Sequence, residues 1–405
     1  MKNNNNKNKQ IIYLDNASAT PIDKEVLKVM SESFKNDFYN SSAIFEGGLE
    51  VKNKIEENRK SIANFLGGRK EEIIFTSGAT ESNNLAILGV VSYAKKFFKK
   101  PHIITSSIEH ASVLEVLYAL ERENKIELSL IGVDEKGYLD LKSLKKNLQE
   151  NTVLVSIMYA NNEIGRIFDL KEISKTIRHF RKNKKENNNF PYFHTDATQA
   201  TNYLDMNTSR LGVDLLSMNA AKIYGPKSIG VLYKKVNVNI ENILFGGNQE
   251  FGLRPGTLNP ALISGLVKAL EITNQVKDKE IKRLANLKSR LYLDLQKVFK
   301  KHNLEIKLNG TLENSLPNIL NITIPKIPSD LLLIELSMKG IYVSEKSACK
   351  TGEKSNSHVI VAMYGKKEEK ISSLRFSLGR ATKKEDLSFV IKTINQILIK
   401  LKDWY

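Results

Sequence analysis

The chain has 405 residues, of which 41% are hydrophobic and 26% are charged, so it is long enough for about two to three domains with sizeable cores. Its formal net charge is +17, from 62 lysines and arginines against 45 aspartates and glutamates. The lysines are scattered and are not interleaved with aromatic residues, so we expect no direct binding of nucleic acid.

Cysteine and histidine usage argues against a disulfide or a metal site. Cys349 is the only cysteine, which excludes an intrachain disulfide and a cysteine-based metal cluster, and the six histidines show no metal-binding spacing. The first ten residues, MKNNNNKNKQ, have no apolar signal-peptide core, and the chain has no run of about 18 apolar residues. We therefore expect a cytoplasmic protein that holds no metal and does not associate with a membrane.

Helix and strand signals alternate through the first half of the chain. The segment VKNKIEENRKSIANFLG places Val51, Ile55, Ile62 and Leu66 on one helical face, and EIIFTSG follows it as a short apolar strand. The later segments are strand HIITSS, helix ASVLEVLYALERE, strand IELSLIGV, helix LKSLKKNLQ, strand TVLVSIMYA, helix LKEISKTIRHF, strand YFHTDA and strand VDLLSMNA. This alternation predicts an α/β fold with a largely parallel sheet and a site at the carboxyl ends of its strands.

The pattern changes near residue 260. A long helix is predicted over 259–299, followed by strand PNILNITI, helix SDLLLIELSMKG and a final helix that Thr382 and Glu385 open as a capping box. We interpret this part as a second, smaller domain. The segment RKNKKENNNFP, which precedes strand YFHTDA, is interpreted as a polar loop.

Polar residues follow several of the predicted strands. FTSGATESNN leaves a strand through small residues and enters a helix, whose free N–H groups would bind a phosphate, although Thr80 could instead be an N-cap. FHTDATQA supplies Asp196 and Gln199, and a buried acid there needs a cation such as the pyridinium of pyridoxal phosphate, unless it caps the next helix. His110, in SSIEHASV, could stack on a flat cofactor or be structural.

Lys222 lies in NAAKIYGPKSIGVLY, between two alanines and an apolar strand. In so lysine-rich a chain the default interpretation is a surface residue at a strand end. The alternative is a desolvated, neutral amine that forms a Schiff base with a carbonyl. A lysine, an acid, a phosphate-binding turn and a histidine that all follow strand ends together predict a pyridoxal phosphate site.

The chain resembles the class V aminotransferase-like family, and within it the NifS/IscS-type cysteine desulfurases, from YLDNASATP to RFSLGRAT. The matching stretches are IIFTSGATESNNLAI, NNEIG, HTDATQ, KIYGPKSIG, RPGTLN, SAC and SSLRFSLGR. The resemblance implies a fold-type I transferase that depends on pyridoxal phosphate (PLP) and has a mainly parallel seven-stranded sheet. It also implies an N-terminal segment 1–20 packed on the small domain, a large PLP-binding domain 21–260, and a small α+β domain 261–405 with the catalytic cysteine loop.

The resemblance assigns roles to individual residues. It implies that Lys222 binds pyridoxal 5'-phosphate covalently, that Asp196 contacts the ring nitrogen, and that His110 stacks on the ring. The other cofactor positions that it implies are Ala79 and Thr80 at the phosphate, Asn162 near cofactor and substrate, Gln199 at the phenolic oxygen, Asn219 near the phosphate, and Thr257, which reaches the phosphate of the neighbouring subunit in a homodimer.

Two further residues define the implied reaction. Arg375 matches the arginine that binds the carboxylate of L-cysteine, unless it forms a surface salt bridge. Cys349 lies in a polar, lysine-rich stretch and matches the nucleophile that takes the substrate's sulfur, which leaves alanine and an enzyme persulfide. The persulfide would pass its sulfur to an acceptor protein, either an iron–sulfur scaffold or a tRNA-thiolating enzyme.

The chain departs from the family pattern beside the lysine. Ala221 and Asn219 stand where most members have a histidine and a serine that contact the phosphate, and the Asn219 amide can still donate a hydrogen bond. These changes permit one alternative, a degenerate family member that serves as a scaffold or regulatory subunit. A second alternative is a different PLP enzyme, such as a selenocysteine lyase or an aminotransferase, although an aminotransferase would not need the loop cysteine.

Overall fold

The computed structural model describes residues 11–184, 189–345, 357–365 and 372–402. The predicted nucleophile Cys349 lies outside the described residues. The elements are, in chain order, β1 (Ile12–Tyr13), α1 (Lys24–Asn36), α2 (Glu46–Leu66), β2 (Ile73–Thr76), α3 (Ala79–Ala94), β3 (His102–Ser106), α4 (Ala111–Arg122), β4 (Glu127–Ile131), α5 (Leu141–Asn147), β5 (Thr152–Ser156), α6 (Leu170–Asn183), β6 (Tyr192–Asp196), α7 (Thr208–Leu211), β7 (Leu215–Asn219), β8 (Gly230–Lys234), α8 (Pro260–Lys301), β9 (Lys307–Leu308), β10 (Ile319–Thr323), α9 (Ser329–Met338), β11 (Ile341–Tyr342), α10 (His358–Tyr364), β12 (Ser373–Ser377) and α11 (Lys384–Lys400). Short 3₁₀ turns span Lys70–Glu72, Ala220–Lys222 and Gln249–Gly252.

The largest sheet has seven strands in the order β2, β8, β7, β6, β5, β3, β4. All neighbours are parallel except β8, which runs antiparallel to both β2 and β7. Helices cover both faces, so β3, β5 and β6 are buried along their whole length. The α/β fold with a mainly parallel seven-stranded sheet is therefore confirmed.

Alternate side chains of each strand enter different cores. In β2, Ile73 and Phe75 belong to the larger apolar cluster, while Ile74 faces the second cluster beneath α3 and α4. This follows from the period of two in an extended chain. The parallel strands thus end together at one edge of the sheet, where the loops carry the predicted site residues.

The helix α8 connects the large sheet to the C-terminal elements. It begins at Pro260, and the side chain of Asn259 caps it by accepting from the backbone N–H of Leu262 at 3.1 Å. It packs against α1 and α2, and it also contacts α11. The predicted domain boundary near residue 260 falls at the first residue of α8, which runs unbroken over 42 residues. This boundary stays a prediction.

The N-terminal segment lies against C-terminal strands. β1 pairs in parallel with β11, and β10 is the centre of a three-stranded antiparallel sheet with β9 and β12. The Asn16 side-chain amide donates to the carbonyl of Ser377 at 2.9 Å. Residues 12–16 are thereby placed next to Arg375, which lies in the middle of β12.

Some local predictions were wrong at helix ends. The last helix begins one residue later than a Thr382 cap requires, because the Thr382 hydroxyl accepts from the N–H of Gly379 at 2.9 Å. Asp386, instead of Glu385, accepts from the N–H of Lys383 at 2.8 Å. The predicted loop 181–191 begins with the last turn of α6. Among the helices of the described ranges, none is both long and apolar enough to cross a membrane.

Candidate active site

The turn between β2 and α3 has a backbone geometry that suits an anion. Gly78 has φ 149° and ψ 179°, a conformation that favours glycine, and α3 begins directly after it. A Cβ on Gly230 would lie 2.6 Å from the Cα of Gly78, so the backbones of β8 and the turn can approach only through glycine. The N–H groups of Ala79 and Thr80 belong to the first turn of a 16-residue helix, where intrahelical partners are absent. Thr80 is therefore inside the helix and is not its N-cap.

Asn219 lies next to this turn. Its side-chain oxygen accepts from the N–H of Ala221 at 2.9 Å, which fixes the orientation of the amide. Its Nδ2 lies 3.8 Å from the position that a Cβ on Gly78 would take. An amide donor thus faces the turn, as expected for a residue near a phosphate.

Asp196 is the last residue of β6 and is buried. Its carboxylate accepts from the N–H of Thr198 at 2.9 Å and from Nδ2 of Asn83 at 2.8 Å. Within the described part of the chain it makes no ion pair, and a turn instead of a helix follows it. A buried carboxylate without a protein cation suits a cationic ring nitrogen.

His194, two residues before Asp196 in β6, supplies no cation to the Asp196 side chain. The imidazole is buried between the hydroxyls of Ser156, at 2.8 Å, and Ser217, at 3.1 Å. Burial lowers the pKa of His194 to about 4, although the Asp196 charge opposes this shift, so the ring is neutral near pH 7. Burial likewise raises the pKa of the Glu109 carboxyl well above its usual range.

His110 is joined to Asp196 by a chain of side chains. His110 caps α4, and its Nδ1 accepts from the N–H of Ser112 at 3.1 Å. The Ser112 hydroxyl accepts from Asn83 at 2.8 Å, and the same Asn83 amide donates to Asp196. This network fixes the imidazole relative to the carboxylate. Sequence reasoning missed Asn83 and Ser112, although Asn83 is one helical turn after Ala79 and Ser112 is two residues after His110.

Lys222 is half-buried, and its side chain contacts the N-terminal segment. Its amine donates to the backbone carbonyl of Ser18, and its own carbonyl accepts from the Asn202 amide at 2.5 Å. Gln199 donates to the neighbouring carbonyl of Ala17 at 2.9 Å. Residues 17–18 therefore bring together Lys222 and Gln199, which are 23 positions apart in the sequence.

Arg375 is buried and converges on the same N-terminal segment. Its Nη2 donates to the Asp15 carboxylate and to the Ser18 hydroxyl, each at 2.7 Å, and its Nη1 donates to the backbone carbonyl of Asn162 at 2.8 Å. Arg375 therefore forms the ion pair considered from the sequence, with Asp15, but this pair is not on the surface, because only 6% of the Arg375 side chain is exposed. Sequence reasoning missed Asp15 and Ser18.

Among the predicted site residues that the structure describes, Thr257 is not brought to the others. It is exposed in the segment 244–257, which forms a groove of about 400 Å³. The base of the segment is fixed, because Arg254 forms an ion pair with Glu81 in the first turn of α3 at 2.8 Å. Its expected contact with a neighbouring subunit stays a prediction.

The residues present fit pyridoxal phosphate. The turn at Gly78 suits the phosphate, Asp196 suits the ring nitrogen, and the Lys222 amine suits the aldehyde. The fold and this set of side chains define a PLP-dependent enzyme of the aminotransferase type.

Comparison with known proteins agrees with this class. Residues 12–390 match the model of the family described as "Aminotransferase class-V". The cysteine desulfurase IscS of Dictyoglomus turgidum is 40% identical over 394 residues, which cover 97% of this chain and 96% of that protein. The cysteine desulfurase IscS of Methanosarcina thermophila is 39% identical over 392 residues, covering 97% and 93%.

Two solved structures are similar over nearly their whole length. A "NifS-like protein" superimposes with a TM-score of 0.87 at 32% identity, covering 97% of this chain and 100% of that one. The structure titled "SspA in complex with cysteine" gives a TM-score of 0.74 at 31% identity, covering 91% and 98%. The chain belongs to the class-V aminotransferase family, in its cysteine desulfurase group, and the resemblance stated from the sequence is confirmed.

Proposed function

We propose that this protein is a cysteine desulfurase that converts L-cysteine to L-alanine and receives the sulfur on Cys349. The observation that carries the proposal is the convergence of Arg375 and Lys222 on one segment of chain, Asp15 to Ser18. The guanidinium would bind the carboxylate of an amino acid, and the amine would bind the aldehyde of the cofactor. Both groups must lie close together, because the amino acid reacts while it is attached to the cofactor. The similarity to cysteine desulfurases over 97% of the chain supports the same reaction.

Pyridoxal phosphate, when bound, supplies an electron-withdrawing ring that weakens bonds at the α-carbon of the amino acid. Asp196, which accepts from Asn83 and Thr198, would face the ring nitrogen, and the neutral His194 beneath it supplies no competing cation. His110, oriented by Ser112, would stack on the ring and limit its movement. The Lys222 amine can accept the proton from the α-carbon and return a proton to the product.

Arg375 and Asn162 orient the substrate. Arg375 has a buried Nε with no partner among the described residues, and this donor suits a carboxylate oxygen. The hydrogen bond from Arg375 to the Asn162 carbonyl places Asn162 beside the guanidinium. The carboxylate of L-cysteine is thereby held on one side, and its thiol is left free.

Chain connectivity supports Cys349 as the nucleophile. Ser344, five residues before it, exchanges both backbone hydrogen bonds with Arg375, at 3.1 and 2.8 Å. Five extended residues span at most about 18 Å, so the thiol of the same chain can reach the substrate. On the other side of the cysteine, Ser357 donates to the carboxylate of Glu163, next to Asn162.

The finer assignments are part of the proposal. We infer a homodimer, because the segment containing Thr257 carries Phe245, which is 88% exposed. We also propose a cytoplasmic location, as expected from the sequence. Exposed Phe38 and Ile44 provide further apolar surface for a second subunit. The sulfur acceptor is an iron–sulfur scaffold or a tRNA-thiolating enzyme.

The test is incubation of the purified, PLP-loaded protein with L-cysteine and a reductant, with alanine and sulfide measured together. Equal amounts of both products are expected. Cys349→Ser should retain the cofactor but release almost no alanine, because the sulfur has no acceptor thiol. Absence of alanine from the wild type would support the scaffold alternative. Turnover of L-selenocysteine alone would identify a selenocysteine lyase.

A further inference from the structure

The N-terminal segment of the chain already uses some of the hydrogen-bond donors of the Arg375 guanidinium. Nη2 donates to Asp15 Oδ1 and to Ser18 Oγ, so both of its hydrogens are used. The Ser18 hydroxyl in turn donates to Asp15 Oδ1 at 2.8 Å. One hydrogen of Nη1 is used by the Asn162 carbonyl, which leaves the second Nη1 hydrogen and Nε–H.

The positions of the N–H groups in a guanidinium determine how a substrate carboxylate can bind to Arg375. A carboxylate that binds with two parallel hydrogen bonds uses either Nε with Nη2 or Nη1 with Nη2. Nη2 belongs to both pairs. A substrate carboxylate therefore binds Arg375 in a bidentate manner only if Asp15 or Ser18 yields or shares a hydrogen of Nη2.

Of the two, Ser18 is the group that yields. Its hydroxyl is a neutral acceptor, whereas the Asp15 carboxylate makes a charge-assisted bond, which is about twice as strong. The backbone of Asp15 is also fixed, since it forms a bridge with Ser377. After the exchange, two carboxylates of the same charge lie on one guanidinium.

We propose that Asp15 is a positioning residue that orients Arg375 and at the same time weakens its affinity for the substrate's carboxylate. Asp15 thereby sets the concentration of L-cysteine at which the site fills. This inference rests on the proposed function, because it concerns the binding of an α-amino acid at Arg375.

Asp15→Asn tests the inference, because the amide keeps an oxygen for Arg375 and removes the charge. Two carboxylates on one guanidinium lie roughly 5–6 Å apart, and removing their repulsion should lower the KM for L-cysteine by about tenfold while kcat stays nearly constant. The dissociation constant of the product L-alanine, measured by spectral titration of the holoenzyme, should fall in parallel. Binding of cysteamine, which has no carboxylate, should not change.

Two further variants complete the test. Asp23→Asn is the matched control, because Asp23 pairs with a different arginine, Arg380, at 3.5 Å, and it should leave all three quantities unchanged. Ser18→Ala frees one hydrogen of Nη2 and keeps the Asp15 charge, so it should lower the KM by about two- to threefold.

The inference is overturned if Asp15→Asn leaves the KM and the L-alanine affinity unchanged or weakens binding, or if it changes cysteamine binding equally. A higher KM in Ser18→Ala also contradicts it, and this holds even if Asp15→Asn does not fold. Failure of the wild type to form alanine would instead overturn the proposed function.

Discussion

The ion pair between Arg59 and Glu250 is the strongest candidate for a stability test. Arg59 donates to Glu250 through Nη1 at 2.8 Å and Nη2 at 2.6 Å, and both side chains are almost fully buried. Burial by itself lowers the pKa of Arg59, but the hydrogen bonds and charges of Glu250 and Glu56 together outweigh burial and raise the pKa. Glu250 also accepts from the N–H of Phe75 at 2.6 Å, so it connects α2, β2 and the turn that precedes Arg254.

Glu250→Gln should lower the free energy of unfolding by about 3 kcal/mol, because it removes the buried counter-charge of Arg59 and leaves only the ion pair with the partly exposed Glu56. The amide also turns one of the two acceptor oxygens into a donor that faces another donor. Urea unfolding followed by far-ultraviolet circular dichroism measures the loss. Asp205→Asn is the control, since its ion pair with Arg210 is exposed and should contribute less than about 1 kcal/mol.

A double variant separates the lost charge from the lost packing. Arg59→Met combined with Glu250→Leu removes both charges and should be less destabilised than Glu250→Gln alone. The reasoning is refuted if Glu250→Gln loses no more stability than Asp205→Asn. It is also refuted if the double variant is the less stable of the two, because uncompensated charge would then not be the cause.

Two further predictions concern His194 and Ala221. The pKa of His194 is about 4 in the folded chain and about 6.5 in the unfolded chain. Between these pH values the unfolded state binds more protons than the folded state. The contribution of neutral His194 to stability is therefore complete above about pH 6.5 and falls as the pH falls. Between about pH 7.5 and about pH 5, His194→Gln should lose about 2 kcal/mol less than the wild type, and parallel unfolding curves would contradict this. Ala221→His should slow the loss of cofactor on dialysis by the equivalent of roughly 1.5–3 kcal/mol. Ala221→Phe, which adds bulk without a hydrogen-bond donor, should not slow it. Equal retention of cofactor in the wild type and both variants would mean that Asn219 and the backbone already hold the phosphate.

The sequence determined the fold class and most of the cofactor site. Apolar segments of strand length alternate with helical periodicity, and this pattern survives folding because it reflects which faces must be buried. The site residues Lys222, Asp196 and His110 could be found for a related reason. They follow strands, and the ends of parallel strands meet at one edge of the sheet.

The tertiary structure alone decided how these residues are held. Asp15 and Arg375 are 360 positions apart, and Arg59 and Glu250 are 191 apart, so no local period links either pair. The cap of the last helix was misplaced by one residue for the same physical reason: whether the Thr382 hydroxyl caps the helix or binds Gly379 depends on how the preceding turn folds back. Local sequence specifies which groups need a partner, but the packed chain decides which partner each of them meets.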